Sequence, residues 1–190
     1  MLNAREVVAK CLKNQAAAQK QLYEAYAPQM LAICYRYTKS SAEASDVMQE
    51  GFVRVFTNLH QWKGDGEIGA WIRRIMVNTA LNWLRDHRNM QWSDDRNIPE
   101  NTDAQAVITP LENLEARELA DLIRKLPAGY QTVFNLYAIE GYTHVEIGQL
   151  LGITESTSRS QYMRARKQLA QWITSTANDK EKNYVRKQPV

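Results

Sequence analysis

Residues 142–166 constrain this chain most, because they read as two helices held at one tight corner. Thr143 can cap the first helix, and Glu146 three residues on completes a capping box. Ile147, Leu150 and Leu151 give that helix one apolar stripe, and Gly152 ends it as a left-handed residue would. Ile153 plugs the corner, and Thr154 suits the cap of the next helix. The second helix carries Arg159, Arg164, Arg166 and Lys167, with no acid between Glu155 and residue 172. A short apolar helix followed by a basic one is how proteins place side chains in the major groove of duplex DNA. Two amphipathic helices joined at a glycine also occur in helical proteins that bind no DNA. The single sign of charge favours the DNA reading, since a solvated helix usually mixes charges.

With 190 residues the chain has room for one domain or two small ones. No apolar run approaches membrane-spanning length, and the first residues lack a signal-peptide layout, so no membrane insertion is expected. Cys11 and Cys34 stand apart with no second pair, which suggests reduced thiols and a cytoplasmic protein. His60, His87 and His144 are scattered, so neither a metal nor a cofactor is expected. A net charge of +3 says little about a polyanion partner, but its distribution says more. Residues 92–121 are strongly acidic, 156–172 purely basic, and 71–88 moderately basic with Trp71 and Trp83. Two nucleic-acid patches around an acidic connector would give this pattern; so would an ordinary mixed surface.

Helical spacing of apolar residues runs through 3–13, 19–38, 42–59 and 67–88, and resumes over 113–126 and 128–140 before the two helices of the corner. No strand-like alternation intervenes, so the expected class is all-α, two small helical domains joined by a flexible linker. The boundaries are placed at 1–90, 91–112 for the acidic, proline-containing linker, 113–175, and 176–190 for a charged tail that frays from Asn178.

The helix over 67–88 has an ordinary apolar face, but Arg73, Arg74, Asn78, Asn82, Arg85 and Arg88 line much of the rest. Arginine forks match phosphate oxygens, and asparagine offers a donor and an acceptor to a base edge. Trp62 and Trp71 supply flat surfaces beside the glycine-containing loop at 62–67. Basic groups, amides and aromatic platforms together suit single-stranded DNA, and a flexible loop could accept a base turned out of its stack. The plainer alternative is that the tryptophans, Trp83 above all, belong to the core and the arginines are merely solvated. The helix over 42–59 differs: Asp46, Gln49, Glu50 and Arg54 project from an apolar body, which suits a protein partner or water better than DNA.

Asp46–Phe56 resembles region 2 of bacterial sigma factors where it meets polymerase, and Ala70–Arg85 resembles the part of the same region that handles the minus-ten element. Leu126-Pro, Tyr130, Val133-Phe134 and the corner ending in Arg164-Ala-Arg166 resemble region 4. In this order and spacing the chain, over roughly residues 10–173, resembles an extracytoplasmic-function (ECF) sigma factor of the sigma-70 family. The resemblance implies a non-enzymatic protein without small-molecule substrate. It implies core RNA polymerase and promoter DNA as partners, single-stranded at minus-ten and duplex at minus-thirty-five, with an anti-sigma factor as a further partner. By matching positions, Asp46, Gln49, Glu50 and Arg54 would bind polymerase. Trp62, Lys63, Trp71, Arg73, Arg74, Ile75, Asn78, Arg85 and Arg88 would handle the minus-ten element, with Asn78 as base reader. Thr157, Arg159, Ser160, Met163 and Arg164 would read the minus-thirty-five element, and Arg166 and Lys167 would touch its backbone. The linker acids Asp94, Asp95, Glu100 and Asp103 could mimic RNA charge in the polymerase; a solvated tether is the alternative.

Two positions depart from the family pattern. Ser158 stands where an apolar residue is usual, and is expected to weaken packing. Gln161 replaces a usual basic residue, and is expected to alter base preference because glutamine pairs with adenine. The competing readings are a helix-turn-helix transcriptional regulator that binds duplex DNA on its own, as a symmetric dimer, and an enzyme with an appended DNA-binding unit. No Ser-His-Asp set, phosphate loop or carboxylate–metal cluster supports the latter.

Overall fold

In the computed structural model, residues 3–88 and 114–186 are described, with side chains over 3–87 and 118–175. The acidic linker, its four acids and the Arg88 side chain lie outside the described residues. Those residues fall into two units. Helix was expected throughout, and among the described residues every regular element is helical.

Unit 1 holds α1 (Ala4–Leu12), α2 (Ala16–Tyr35), α3 (Ser41–Asn58) with a 3-10 turn at Leu59–Gln61, and α4 (Ile68–Arg88). Side-chain caps start two of these helices: Asn3 Oδ1 accepts from the Glu6 amide, and the Ser40 hydroxyl from that of Glu43. The apolar rows of α2, α3 and α4 converge, burying Leu22, Met30, Ile33, Val47, Phe52, Val55, Ile72, Met76 and Leu81. Val7, Val8 and Cys11 of α1 are buried as well, so this weakly patterned helix is part of the core. Burying such side chains is worth about 1.5–3 kcal/mol each, which is what holds the four helices as a unit. Cys34 is wholly buried, and burial pushes its thiol up to about 12. It is therefore expected to stay unreactive toward a thiol-disulfide reagent in the folded protein and to react only on unfolding, as the release of chromophore would show.

Unit 2 holds α5 (Leu114–Arg124), α6 (Ala128–Phe134) continued by a π-helical turn at Asn135–Ile139, α7 (His144–Leu151) and α8 (Glu155–Arg186). The buried residues Ile123, Leu126, Ala165 and Leu169 form one cluster, against which Leu122, Tyr130, Phe134 and Trp172 pack. The corner forms as its residues dictate. Thr143 and Glu146 make a reciprocal capping box, Gly152 takes φ 69°, and the Thr154 hydroxyl accepts from the Thr157 amide at 3.0 Å. Helix α8 runs to Arg186, past Asn178, where the charged tail was expected to begin fraying. Between Glu155 and Arg186 the sequence has neither glycine nor proline, and Pro189 is the first residue that cannot continue a helix.

Candidate nucleic-acid and polymerase surfaces

On unit 1 the far end of α3, its 3-10 turn and the middle of α4 border an open, shallow concavity of about 310 Å³. Its lining is Arg54, Asn58, Gln61, Trp71, Ile75, Asn78 and Thr79. Three residues expected at the minus-ten element, Trp71, Ile75 and Asn78, therefore share one recess, each half-buried. Asn78 is neither walled into the core nor fully solvated. Asn58 and Gln61 were not foreseen. The Asn58 amide donates to the Arg54 carbonyl at 2.8 Å, and the Gln61 amide donates to the Asn58 side-chain oxygen at 3.0 Å. Their i, i+3 spacing at a helix end was the available signal; only the crossing of α3 and α4 brings them to Asn78. Arg54, expected to bind polymerase, opens into the same recess and also pairs with Glu50.

Of the other residues expected at the minus-ten element, Lys63, Arg74 and Arg85 are exposed and Arg73 is half-buried. Trp62 is half-buried and its indole Nε1 is enclosed, so it offers less open surface than a free platform would. Trp83, expected in the core, is also only half-buried and stacks on His87 with ring centroids 4.6 Å apart. The loop at 62–67 has a brace that sequence reasoning missed: the Arg5 guanidinium of α1 donates to the Gly64 carbonyl at 3.3 Å.

Asp46, Gln49 and Glu50 stand exposed on one side of α3. Helical spacing puts Val53 beside Gln49 and Glu50, and Val53 is 65% exposed. The apolar centre of this face escaped notice because a valine in a row of apolar residues reads as core.

On unit 2, Arg159, Ser160, Met163, Arg164, Arg166 and Lys167 are all exposed on α8, and Thr157 is half-buried. Arg159 is pre-paired with Glu155 one turn earlier, its Nε donating at 2.9 Å. Arg164 donates to the Tyr130 hydroxyl of α6 at 3.3 Å, and Arg166 lies over the Tyr162 ring. The opposite stripe of α8 is Ser158, Gln161, Ala165 and Leu169, all buried. The expectation about Gln161 is thereby corrected. Gln161 cannot present its amide to adenine, because it faces α6, where a Cβ on Gly129 would lie 3.4 Å from its Oε1. The Ser158 hydroxyl is buried in place of an apolar side chain and lies 2.9 Å from His144 Nδ1. Among the described residues no group of His, Cys, Asp and Glu is placed to hold a metal ion, and no helix is long and apolar enough to cross a membrane.

Residues 22–90 match sigma-70 region 2, and residues 116–169 match sigma-70 region 4. The ECF RNA polymerase sigma-E factor of Haemophilus influenzae is 26% identical over 178 residues, covering 88% of this chain and 94% of that protein. The ECF RNA polymerase sigma factor SigW of Bacillus subtilis is 26% identical over 168 residues, covering 83% and 89%. In fold, the chain is similar to the sigma factor RpoE of Bartonella quintana, solved in complex with the anti-sigma factor NepR. The TM-score is 0.56 at 18% identity, over 82% of this chain and 96% of that one. The two region matches occupy most of the chain, one in each unit and in the order the resemblance required, and the chain belongs to the sigma-70 family as an ECF-type sigma factor.

Proposed function

We propose that this protein associates with core RNA polymerase, directs it to promoters through minus-ten and minus-thirty-five elements, and assists opening of the duplex. The work is binding, with no bond chemistry, no cofactor and no small-molecule substrate, and it takes place in the cytoplasm. The observation that carries the reading is the recess on unit 1, which gathers an asparagine, a tryptophan and further amides on a unit whose α4 also carries the exposed Arg74 and Arg85. Such a recess suits an unstacked base held by its edge and face, with phosphates held outside. The exposed basic face of α8 suits the major groove of intact duplex. A self-sufficient helix-turn-helix regulator would account for α8 but leave the unit 1 recess without a task. An anti-sigma factor that covers the polymerase-facing surface completes the reading, supported by the RpoE complex with NepR.

The test is co-purification with core polymerase followed by run-off transcription from promoters mapped after overexpression. Transcripts that need both protein and core enzyme support the proposal; tight promoter binding by the protein alone, with no polymerase association, defeats it. Within this scheme Val53 is an apolar anchor for polymerase, flanked by Gln49 and Glu50. Val53→Ser is expected to weaken core association about tenfold, as truncating an interface anchor does. The urea midpoint should be unchanged, because the side chain is exposed and valine and serine have similar helix propensity. A titration of labelled core enzyme reads the first quantity and circular dichroism the second.

A further inference from the structure

At the inner corner of the helix-turn-helix, three elements meet on one imidazole. His144 is the first residue of α7 and is 7% exposed. Its Nδ1 lies 2.9 Å from the Ser158 hydroxyl on α8, and Ser158 is fully buried. Its ring lies flat on Tyr137 of the π-helical turn, with centroids 4.2 Å apart and planes 9° from parallel. Tyr162 of α8 tilts against both rings, at 5.8 Å from His144 and 4.5 Å from Tyr137. A directional hydrogen bond and a flat stack constrain rotation in a way that an apolar contact does not, since burial is non-directional. Ser158 immediately precedes Arg159 and Ser160, so any rotation of α8 about its axis moves those two side chains across the outer face.

We propose that the His144–Ser158 pair sets the rotation of the recognition helix and thereby decides which side chains meet base edges in the minus-thirty-five element. The inference rests on the reading of the α8 face as the duplex reader and adds to it two positioning residues that do not touch DNA. The hydroxyl can donate to or accept from the imidazole, so the bond itself is compatible with either neutral tautomer. A charged imidazole would still donate from Nδ1 to the hydroxyl, but only at the cost of burying its charge. Burial, and next the Arg159 guanidinium, hold His144 below the ordinary histidine range, against a smaller opposite pull from Glu155. Tyr137 and Tyr162 are the other titratable groups in contact. Because the folded value is depressed, the neutral arrangement is intact above about pH 6.5 and is lost as pH falls through the folded value.

The experiment uses the reconstituted holoenzyme and two promoters, one with an intact and one with a scrambled minus-thirty-five element. The ratio of the two affinities is followed from pH 7.5 to 5.5. The expected result is a ratio that falls in the wild-type protein on acidification. It stays flat in His144→Phe, which keeps a ring on Tyr137 and cannot titrate. Ser158→Ala is expected to relax base preference across a library of minus-thirty-five variants, with the scrambled promoter bound as before. Should either single variant fail to fold, the doubly apolar H144F/S158A protein fills the same corner without a stranded hydroxyl, and is expected to be both pH-insensitive and altered in base preference. Identical pH profiles for wild type and His144→Phe, or an unchanged base preference in Ser158→Ala and the double variant, would overturn the proposal. Arg159→Ala separates the two levels: if it leaves the affinity ratio untouched, the reading of α8 fails and the positioning role falls with it.

Discussion

Open complexes of the Asn78→Ala protein with polymerase are expected to form about tenfold to a hundredfold less readily, while closed complexes form as before. The asymmetry follows from where Asn78 sits. It lines a recess on unit 1 together with Trp71, Ile75, Asn58 and Gln61. A recess of about 310 Å³ can take a base only after that base has left its stack. A well-made asparagine–base contact is worth about 1–3 kcal/mol, which is the range of the expected loss. Permanganate reactivity of unpaired thymines reports opening, and electrophoretic binding at low temperature reports the closed complex. Equal losses in both measurements would remove Asn78 from the melting step. Asn58→Ala and Gln61→Ala provide a second check, since recess residues should share the defect in kind if not in size.

Gly148→Ala is expected to destabilise unit 2 by about 1–3 kcal/mol, the usual cost of overpacking a close contact. It should abolish dependence of transcription on the minus-thirty-five element. A Cβ at this position would stand 2.8 Å from the Ile153 carbonyl oxygen, an atom of the backbone that cannot swing aside. The same glycine's carbonyl accepts the Ile153 amide at 3.0 Å, so the corner is closed tightly on α7 at this point. Alanine's better helix propensity returns at most about 1 kcal/mol. Gln149→Ala, one residue on and exposed, is the control and should leave the urea midpoint in place. A Gly148→Ala protein with an unmoved midpoint would show that the corner can open at no cost.

Much of this was legible beforehand because it is local. Capping boxes, a left-handed glycine and rows of apolar residues depend on neighbours within one or two turns, so the corner at 142–154 and the helices of both units follow from the residues themselves. Inward and outward faces were less legible. Val53 and Trp83 belong to apolar rows yet lie exposed or half-exposed, whereas Ser158 and Gln161 look solvated yet are buried. Gly148 drew no notice beside Gly152, because a close approach leaves no mark on the sequence that a positive φ would.

The sequence by itself determined the all-helical class, the placing of most helices and the basic sign of α8, since propensity, capping and charge are properties of short segments. Only the tertiary structure decided that Asn58 and Gln61 join Asn78 around one recess, that Gln161 turns away from DNA, and that Ser158 finds His144 fourteen residues away. Those outcomes depend on how helices cross and rotate. The energy of a crossing is summed over many weak contacts between distant residues, so no single stretch of chain carries it.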